Sequence, residues 1–253
     1  MSDVRIGEQD GIVEIRLNRA AKKNAVTGAM YDAMTDALDQ ADRSASSRVV
    51  LFSAEGDSFS AGNDLADFPS LTGDFAQAPA TRFIHALARF DKPMIAAVQG
   101  LAVGIGATML LHCDLVYAAP QACLLMPFVD LGLVPEAGSS AMLPARIGYQ
   151  RAAALLLLGE RMTAEQAVAA GLVNQVMPAE MLHDHARGKA RTLAAKPPGA
   201  LAAARRLMRG DRTLLEARMQ QEQMEFATAV RSAEALQAFK DFLERRQVGS
   251  KHP

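Results

Sequence analysis

The chain has 253 residues, half of them hydrophobic, which is enough to bury one large core with a small appended region. Its 27 basic and 28 acidic residues nearly cancel, which argues against nucleic acid or an anionic membrane surface as the main partner. The two cysteines, Cys113 and Cys123, do not make a disulfide framework and fit a reduced, cytoplasmic setting.

The ends of the chain and one apolar stretch bear on where the protein works. The first residues carry no apolar signal-peptide core and the last three are not the peroxisomal tripeptide, so we expect a cytoplasmic protein. Residues 94–111 carry no charge and reach the lower limit of a membrane span, about 18 residues. Three glycines interrupt this stretch. It therefore predicts a buried strand, a turn and a buried helix, and no membrane partner.

The first quarter of the chain predicts two strands and a helix. Residues 11–17 alternate apolar and charged side chains, as a half-buried strand does. Thr27 is a plausible N-cap for a helix over about residues 29–41. Residues 49–52 form an apolar run typical of a buried strand, and this run leads into a polar loop over residues 55–64.

The succession of strand, turn and helix then recurs. A helix is predicted near residues 81–90, a strand at residues 94–98, and a glycine-rich turn at residues 100–106 before a short helix. A third cycle begins with the strand at residues 115–118. Such cycles predict an α/β domain whose loops gather where the strands end.

From Arg151 onward the pattern becomes helical. The best linker candidate is the sequence KPPG at residues 196–199, and residues 200–247 are almost all helix formers. The sequence therefore predicts a core over residues 1–195 and a C-terminal helical region over residues 196–253.

Two glycine-bearing loops are candidates for binding chemistry. Residues 58–65 read SFSAGNDL, and such small residues let a backbone approach a ligand closely. Residues 99–107 read QGLAVGIGA, and their glycines precede a helix whose first N–H groups are free. Together the loops could aim two N–H donors at one oxygen, which is an oxyanion hole. Neither loop alone is specific, because glycine-rich turns at strand ends are more often structural.

A carboxyl group in an apolar stretch is the candidate for acid–base chemistry. Glu136 and Asp130 are the only charged residues in residues 127–140. A carboxyl in an apolar pocket has a raised pKa, which suits a general base near neutral pH. The alternative is that Glu136 caps the following helix from a solvated loop, and composition alone favours that alternative.

The histidines do not predict a metal site. His183 and His185 lie two apart on a predicted helix and hence on different faces, so they do not make a metal-binding pair. We interpret His85 and His112 as packing or surface residues, and we expect no metal.

Short motifs follow one another in a specific order along nearly the whole chain. They are NR at 18–19 with KKNA at 22–25, FSAGND at 59–64, KP at 92–93 with AAVQG at 96–100, CDL at 113–115, LGLVP at 131–135, and LG at 158–159 with AGLV at 170–173. Together they resemble the crotonase (enoyl-CoA hydratase/isomerase) family. The resemblance implies an α/β fold, a crotonase-like spiral of ββα units with a C-terminal helical trimerisation region.

The resemblance also implies an acyl-CoA substrate, a homotrimer or homohexamer, and no cofactor beyond the coenzyme A that the substrate carries. The family holds the thioester oxygen with two backbone N–H groups, which would be those of Asn63 and Ile105. Lys22 and Lys23 lie where the family often places basic groups near the CoA phosphates, although they read equally well as solvated lysines. The substrate-binding residues that it implies are Lys22, Lys23, Ala25, Ser60, Ala61, Gly62, Asp64, Leu65, Gly104 and Phe128.

The sequence departs from the hydratase pattern at two positions. Thr108 and Phe128 stand where the family's hydratases carry glutamates, and neither can act as a carboxyl acid or base. The pair Pro135-Glu136 is instead similar to the peroxisomal-type Δ3,Δ2-enoyl-CoA isomerases, in which Glu136 would be the single base. Two alternatives stay open. One is a hydratase or other crotonase reaction with Glu136 or Asp130 activating water, and the other is a non-catalytic acyl-CoA-binding subunit.

Overall fold

The computed structural model describes residues 2–64 and 75–249. Its strands are β1 (Val4–Gln9), β2 (Ile12–Leu17), β3 (Val49–Ala54), β4 (Met94–Val98), β5 (Leu101–Val103), β6 (Leu115–Ala118), β7 (Cys123–Leu125), β8 (Met162–Thr163) and β9 (Gln175–Val176). Its helices are α1 (Gly28–Arg43), α2 (Pro79–Arg89), α3 (Ile105–Thr108), α4 (Ser139–Ile147), α5 (Tyr149–Leu156), α6 (Ala164–Ala169), α7 (Ala179–Ala194), α8 (Pro198–Arg209), α9 (Arg212–Ala229) and α10 (Ala233–Gly249).

The larger sheet has six strands in the order β1-β2-β3-β4-β6-β9. Strand β1 pairs with β2 as an antiparallel hairpin, and every later neighbour in this sheet is parallel. A smaller sheet has the order β5-β7-β8. The parallel strands and the helices between them confirm the predicted α/β class.

The central strands are apolar along their whole length because both of their faces are covered. Val50 and Phe52 of β3 point into the main hydrophobic core with α1 and α2. Val49 and Leu51, their alternating neighbours, pack into a second cluster with Ala186 of α7. Alternate side chains of a strand point to opposite faces, so a continuous apolar run is what a doubly covered parallel strand needs.

Local signals placed several elements well. The Thr27 side chain accepts a hydrogen bond from Met30 N and caps α1, as predicted. The uncharged stretch at residues 94–111 forms β4, a turn, the short strand β5 and then α3 with the buried helical turn that follows it. The pattern did not reveal β5, whose three residues continue directly from that turn. Among the helices described, none combines the length and apolar character that crossing a membrane requires.

The C-terminal helices fold back onto the main core. Helix α7 ends before the KPPG sequence and α8 begins within it. Arg205 of α8 is buried, bonds to Asp114 and donates to the carbonyl of Phe90 at 2.7 Å. Phe226 of α9 and Phe239 of α10 join the main hydrophobic cluster. The helical region and residues 1–195 thus share buried contacts, while the boundary between them stays a prediction.

Gly100 begins the turn that joins the two sheets, and we expect Gly100→Ala to destabilise the fold. Its φ is +57°, and an added Cβ would overlap the carbonyl oxygen of Asp57. Left-handed strain and overpacking together predict a loss of about 2–5 kcal/mol in the free energy of unfolding, measured by urea denaturation. Gly188→Ala in α7, where a Cβ meets nothing within 4 Å, is the matched control and should be neutral or mildly stabilising. Equal effects of the two substitutions would contradict this reading of the turn.

Candidate active site

The two glycine-bearing loops lie side by side. Ser60 forms a parallel bridge with Ala102, and Val103 N donates to the carbonyl of Ser60 at 2.9 Å. Gly62 has a φ of +86°, and a Cβ there would come within 2.9 Å of the Val103 carbonyl oxygen. Only glycine tolerates both that backbone conformation and that approach. The predicted pairing of the loops is therefore present.

The two backbone N–H groups proposed as oxyanion donors have no partner in the part of the chain that the structure describes. In the bridge between Val26 and Asn63, Asp64 N bonds to the Val26 carbonyl at 2.9 Å, and the N–H of Asn63 is not used. Ile105 is the first residue of α3 and follows Gly104, whose φ is +53°. A first helical N–H has no partner within its own helix. Both groups are therefore available to an external acceptor.

Tyr31 fixes the side chain of Asn63. Its hydroxyl donates to Asn63 Oδ1 at 2.5 Å, and its ring packs against Phe83 with centroids 5.5 Å apart. Burial, with a further contribution from the charge of Glu136, raises the pKa of Tyr31 well above its usual range. The hydroxyl is therefore protonated and acts as a donor. Tyr31 was not among the predicted site residues, because nothing in the sequence marks a tyrosine in an amphipathic helix as one.

Glu136 is buried and holds one hydrogen bond from a side chain. Thr108 Oγ1 donates to Glu136 Oε1 at 2.5 Å. Burial raises the pKa of Glu136 from its ordinary 4.5 to about 8, the Thr108 bond opposes that rise, and the nearby carboxylate of Glu222 adds to it. A carboxyl with that pKa exchanges protons near neutral pH. The solvated cap considered as an alternative for Glu136 is therefore wrong, because the side chain is in the interior.

The segment after Glu136 turns sharply and is held from several sides. Ala137 has a φ of +58°, an unfavourable conformation for a residue with a Cβ, and Gly138 follows with +74°. Ser139 Oγ donates back to the Glu136 carbonyl at 2.6 Å. His112 Nε2 lies 2.8 Å from the Ala137 carbonyl. Burial lowers the pKa of His112 to about 3, so the ring is neutral and Nε2 is the donor.

A cavity of about 260 Å³ joins these groups. Asn63, Tyr31 and Glu136 line it, and at another part of its wall His85 Nε2 lies 3.2 Å from Gln223 Oε1. The remaining wall is mostly apolar and includes Val26, Phe75, Pro79, Ile84, Met219 and Phe226. Such a site has a few polar groups at one place and apolar surface for the rest of a ligand.

Three predicted binding residues, Lys22, Lys23 and Asp64, lie in or beside the first loop. Lys22 and Lys23 are exposed, and the Lys23 carbonyl accepts a hydrogen bond from Ala61 N at 2.8 Å. Asp64 lines the cavity and forms an ion pair with Arg19 at 2.7 Å. Both lysine side chains therefore lie at the surface beside the loop that carries Asn63.

Three other predicted binding residues, Ser60, Ala25 and Phe128, are buried in the protein. Ser60 Oγ donates to the Asn24 carbonyl and accepts from Gly62 N at 3.1 Å. Ala25 and Phe128 are buried, and Phe128 belongs to the main core. Among the residues described, none of these three side chains lines the cavity.

Four further candidates complete the sequence predictions. Leu65 lies outside the described residues. Gly104 and Ile105 do not line the cavity, but the backbone they share begins α3, which also carries Thr108. Asp130 is exposed in a short 3-10 turn and does not reach the cavity. Glu136 is therefore the carboxyl of that apolar stretch that reaches the candidate site.

The surroundings of His183 and His185 agree with the prediction that they do not form a metal-binding pair. His183 Nε2 contacts Glu14 Oε1 at 2.8 Å, whereas the His185 ring packs edge-on against Tyr117. The two rings have different surroundings, as their spacing predicts. Within residues 2–64 and 75–249, no three His, Cys, Asp or Glu side chains are grouped as a metal site requires. The absence of a metal stays a prediction.

The raised pKa of Glu136 predicts a pH-dependent effect of Glu136→Gln on stability. The folded-state pKa of about 8 lies above the ordinary 4.5, so the stability contributed by the protonated form is complete below about 4.5 and is lost as pH rises through about 8. Glutamine stays neutral and avoids this loss. The gain in free energy of unfolding should grow with pH, at up to about 1.4 kcal/mol for each pH unit. Denaturation at about pH 5 and about pH 8 measures it. Asp130→Asn at the surface is the control, and equal stability of Glu136→Gln and wild type at the higher pH would contradict the burial argument.

Comparison with known proteins identifies the family. The enoyl-CoA hydratase/isomerase family model matches residues 7–252. The chain is 34% identical over 250 residues to enoyl-CoA delta isomerase 2 of Rattus norvegicus, which covers 96% of this chain and 64% of the rat protein. The chain thus spans somewhat less than two thirds of that relative. It is also 34% identical over 246 residues to 1,2-epoxyphenylacetyl-CoA isomerase of Escherichia coli K12, covering 94% of each chain.

The three-dimensional comparison agrees. The crystal structure of an enoyl-CoA hydratase/isomerase from Pseudoalteromonas atlantica T6c superposes with a TM-score of 0.93 at 35% identity, over 96% of this chain and 98% of that one. This similarity confirms the predicted crotonase-like fold. A family match over nearly the whole length and a matching fold lead to one conclusion: the chain belongs to the crotonase, or enoyl-CoA hydratase/isomerase, family.

Proposed function

We propose that this protein is a Δ3,Δ2-enoyl-CoA isomerase, with Glu136 as its base and the N–H groups of Asn63 and Ile105 as its oxyanion hole. The rat relative is named as an enoyl-CoA delta isomerase, which supports this choice within the family. The proposal keeps the expectations of a cytoplasmic enzyme and of no cofactor beyond the coenzyme A of its substrate.

The proposed reaction moves a double bond from the 3,4 to the 2,3 position of an acyl-CoA. Ionised Glu136 takes a proton from C2, and the C–H electrons pass into a dienolate whose negative charge falls on the thioester oxygen. The N–H groups of Asn63 and Ile105 stabilise that charge, at about 3–4 kcal/mol for each well-placed donor. Protonated Glu136 then gives the proton to C4 and returns to its starting state. Atoms and charge balance without a second acid or a redox partner.

One observation carries the proposal: a buried carboxyl with a pKa near neutrality shares a cavity with the loop that presents an unused N–H group. Thr108 occupies one Glu136 oxygen and leaves the other for substrate. Thr108 belongs to α3, which begins with Ile105. The hydrogen bond from Thr108 to Glu136 therefore connects the helix that carries the second proposed N–H donor to the proposed base. Base and oxyanion donors would therefore act on one bound substrate.

A hydratase is the second candidate, and Glu222 is the observation that favours it. This second carboxyl lines the cavity, and two carboxyl groups could hold and activate water. However, both Glu222 oxygens already accept backbone N–H bonds, from Gly138 at 2.6 Å and Ser140 at 2.9 Å. A carboxylate engaged in this way is less suited to moving protons than Glu136, so the geometry favours the single-base isomerase.

Replacing Glu136 with Gln should slow the isomerase step strongly and spare binding. Glutamine keeps the shape but cannot accept the C2 proton, so we expect kcat for a 3-enoyl-CoA to fall by about 10²–10⁴ with near-normal affinity. Because the base must be ionised, wild-type kcat/KM should rise with pH towards about 8. Stopped-flow or steady-state assays over chain length and pH measure both effects.

Asp130→Asn is the matched control for that experiment, since it makes the same chemical change on an exposed carboxylate. It should retain most activity. Loss of turnover in Asp130→Asn with normal turnover in Glu136→Gln would mean that the wrong carboxyl had been assigned. A parallel assay of 2-enoyl-CoA hydration separates the hydratase, and indifference to both substrates would indicate a non-catalytic acyl-CoA-binding subunit.

We also propose a homotrimer or homohexamer assembled through the C-terminal helices. In the single chain, Leu207, Met208 and Leu214 are 82%, 86% and 73% exposed. Neighbouring exposed apolar side chains of this size indicate a surface that another chain covers. The core of the single chain does not cover Leu207 or Leu214.

We expect sedimentation velocity to show a species of three or six chains at micromolar concentration. Replacing Leu207 and Met208 together with Asp should shift it towards monomer, because two charges would be desolvated in the interface. The exposed residue Glu225 gives a control variant, Glu225→Gln, which should leave the assembly unchanged. A wild-type monomer at that concentration would count against the proposal.

A further inference from the structure

Glu222 connects the C-terminal helix α9 to the segment that carries Glu136. Its side chain is only 6% exposed. One carboxylate oxygen accepts from Gly138 N at 2.6 Å and the other accepts from Ser140 N at 2.9 Å. The two partners lie more than 80 residues earlier in the chain. The carboxylate therefore links two distant parts of the fold at one point.

The two N–H groups that Glu222 binds are at the start of α4. Gly138 is the N-cap of that helix, and its first N–H groups have no partner within the helix. A negative charge at a helix N-terminus is favourable, and hydrogen bonds to a charged acceptor are stronger than neutral ones. The usual local cap is missing, because no side chain at the N-cap accepts a hydrogen bond. Glu222 fills that role from another helix.

The same contact restrains Glu136. Only Ala137 separates Glu136 from Gly138, and Ala137 has the left-handed φ of +58°. A residue with a Cβ keeps such a conformation only where its surroundings hold it there. His112 holds the Ala137 carbonyl, and Glu222 holds the N–H groups that follow. The direction in which the Glu136 side chain enters the cavity depends on both restraints.

A simple capping residue would not need to lie in the cavity, but Glu222 is part of its wall together with Glu136. Burying a second carboxylate beside the first is costly, and the two backbone N–H bonds to Glu222 offset part of that cost. We propose that Glu222 is a positioning residue, which holds residues 136–140 from α9 so that the Glu136 carboxyl can take the proton from C2 of the substrate and deliver it to C4. This inference rests on the proposed function in taking Glu136 as the base.

The charged and titratable groups around Glu136 and Glu222 determine how the rate should depend on pH. Tyr31 of α1, His85 of α2 and Asp64, which is paired with Arg19, line the same cavity, and Thr108 of α3 bonds to Glu136. Burial raises the pKa of Glu222, and the bonds from Ser140 and Gly138 and the charge of Arg218 oppose that rise. The Glu222 carboxylate in turn raises the pKa of Glu136. Removing its charge should therefore move the acidic limb of the pH–rate profile to lower pH.

The test compares Glu222→Gln with Glu225→Gln on the same helix, with Glu136→Gln as reference. Glutamine at 222 turns one acceptor into a donor, which cannot bond to the backbone N–H group that it faces. We expect kcat for a 3-enoyl-CoA to fall about 10-fold to 100-fold, from the loss of a charge-assisted hydrogen bond, with KM little changed. The acidic limb of kcat/KM should move to lower pH. Glu225→Gln should match wild type in both.

A double variant separates positioning from a general loss of structure. If Glu222 acts through Glu136, adding Glu222→Gln to Glu136→Gln should cause no further loss of residual rate, because the two act as a unit. Should Glu222→Gln fail to fold, Glu222→Asp carries the test. It keeps the charge but is too short for both N–H groups, so kcat should fall while the acidic limb stays in place.

Wild-type kcat and an unshifted limb in folded Glu222→Gln would overturn the inference, and so would a lowered melting temperature with normal kinetics. In both cases Glu136→Gln would still be inactive, so the proposed function would survive. Normal turnover in Glu136→Gln would instead overturn the proposed function and this inference together.

Discussion

The burial of one carboxyl group is the constraint on which the rest of this site depends. Placing Glu136 in an apolar cavity raises its pKa to about 8, so at neutral pH it is poised between its acid and base forms. The Thr108 hydrogen bond offsets part of the cost of burying the ionised form. A second carboxylate nearby works in the opposite direction. The resulting raised pKa suits proton transfer. It also lowers the stability of the folded protein, which is common at functional sites.

The sheet supplies the rigid frame for that group. Strands β3 and β4 are covered on both faces, by α1 and α2 on one side and by α7 on the other. Because they cannot shift without exposing apolar surface, the loops that follow them stay in register. Gly62 then lets the first loop touch the backbone of the second. The pairing of the two loops that carry Asn63 and Ile105 therefore depends on packing in the sheet, although neither residue belongs to it.

The C-terminal helices complete the cavity and do more than extend the core. Phe226 and Met219 contribute to its apolar wall, and Glu222 reaches the segment that carries the base. Arg205 anchors the preceding helix to Asp114 and to the end of α2. A change in how these helices pack would therefore alter the position of the segment that carries Glu136. Assembly through their exposed apolar faces would couple the site to the oligomeric state by the same route.

Signals that depend only on neighbouring residues were sufficient for much of the fold. The cap at Thr27, the strand at residues 94–98, the helical C-terminus and the two glycine loops all follow from local pattern, and the motif order implied the family. Glu136 was found because it is a charge in an apolar run. The raised pKa of Glu136 was not predicted, since composition alone favoured a solvated cap and only burial in the tertiary structure decides the pKa.

What only the tertiary structure decided are the contacts between segments distant in sequence. Tyr31 reaches Asn63, Thr108 reaches Glu136, and Glu222 reaches Gly138, across separations of 32, 28 and 84 residues. It also placed the Ser60 side chain against the Asn24 carbonyl and Phe128 in the main core, both outside the cavity wall. By itself the sequence determined which residues are apolar, which turns need glycine and where helices can begin, because those properties are local. It did not determine which polar side chains meet, because that depends on how the helices pack on the sheet.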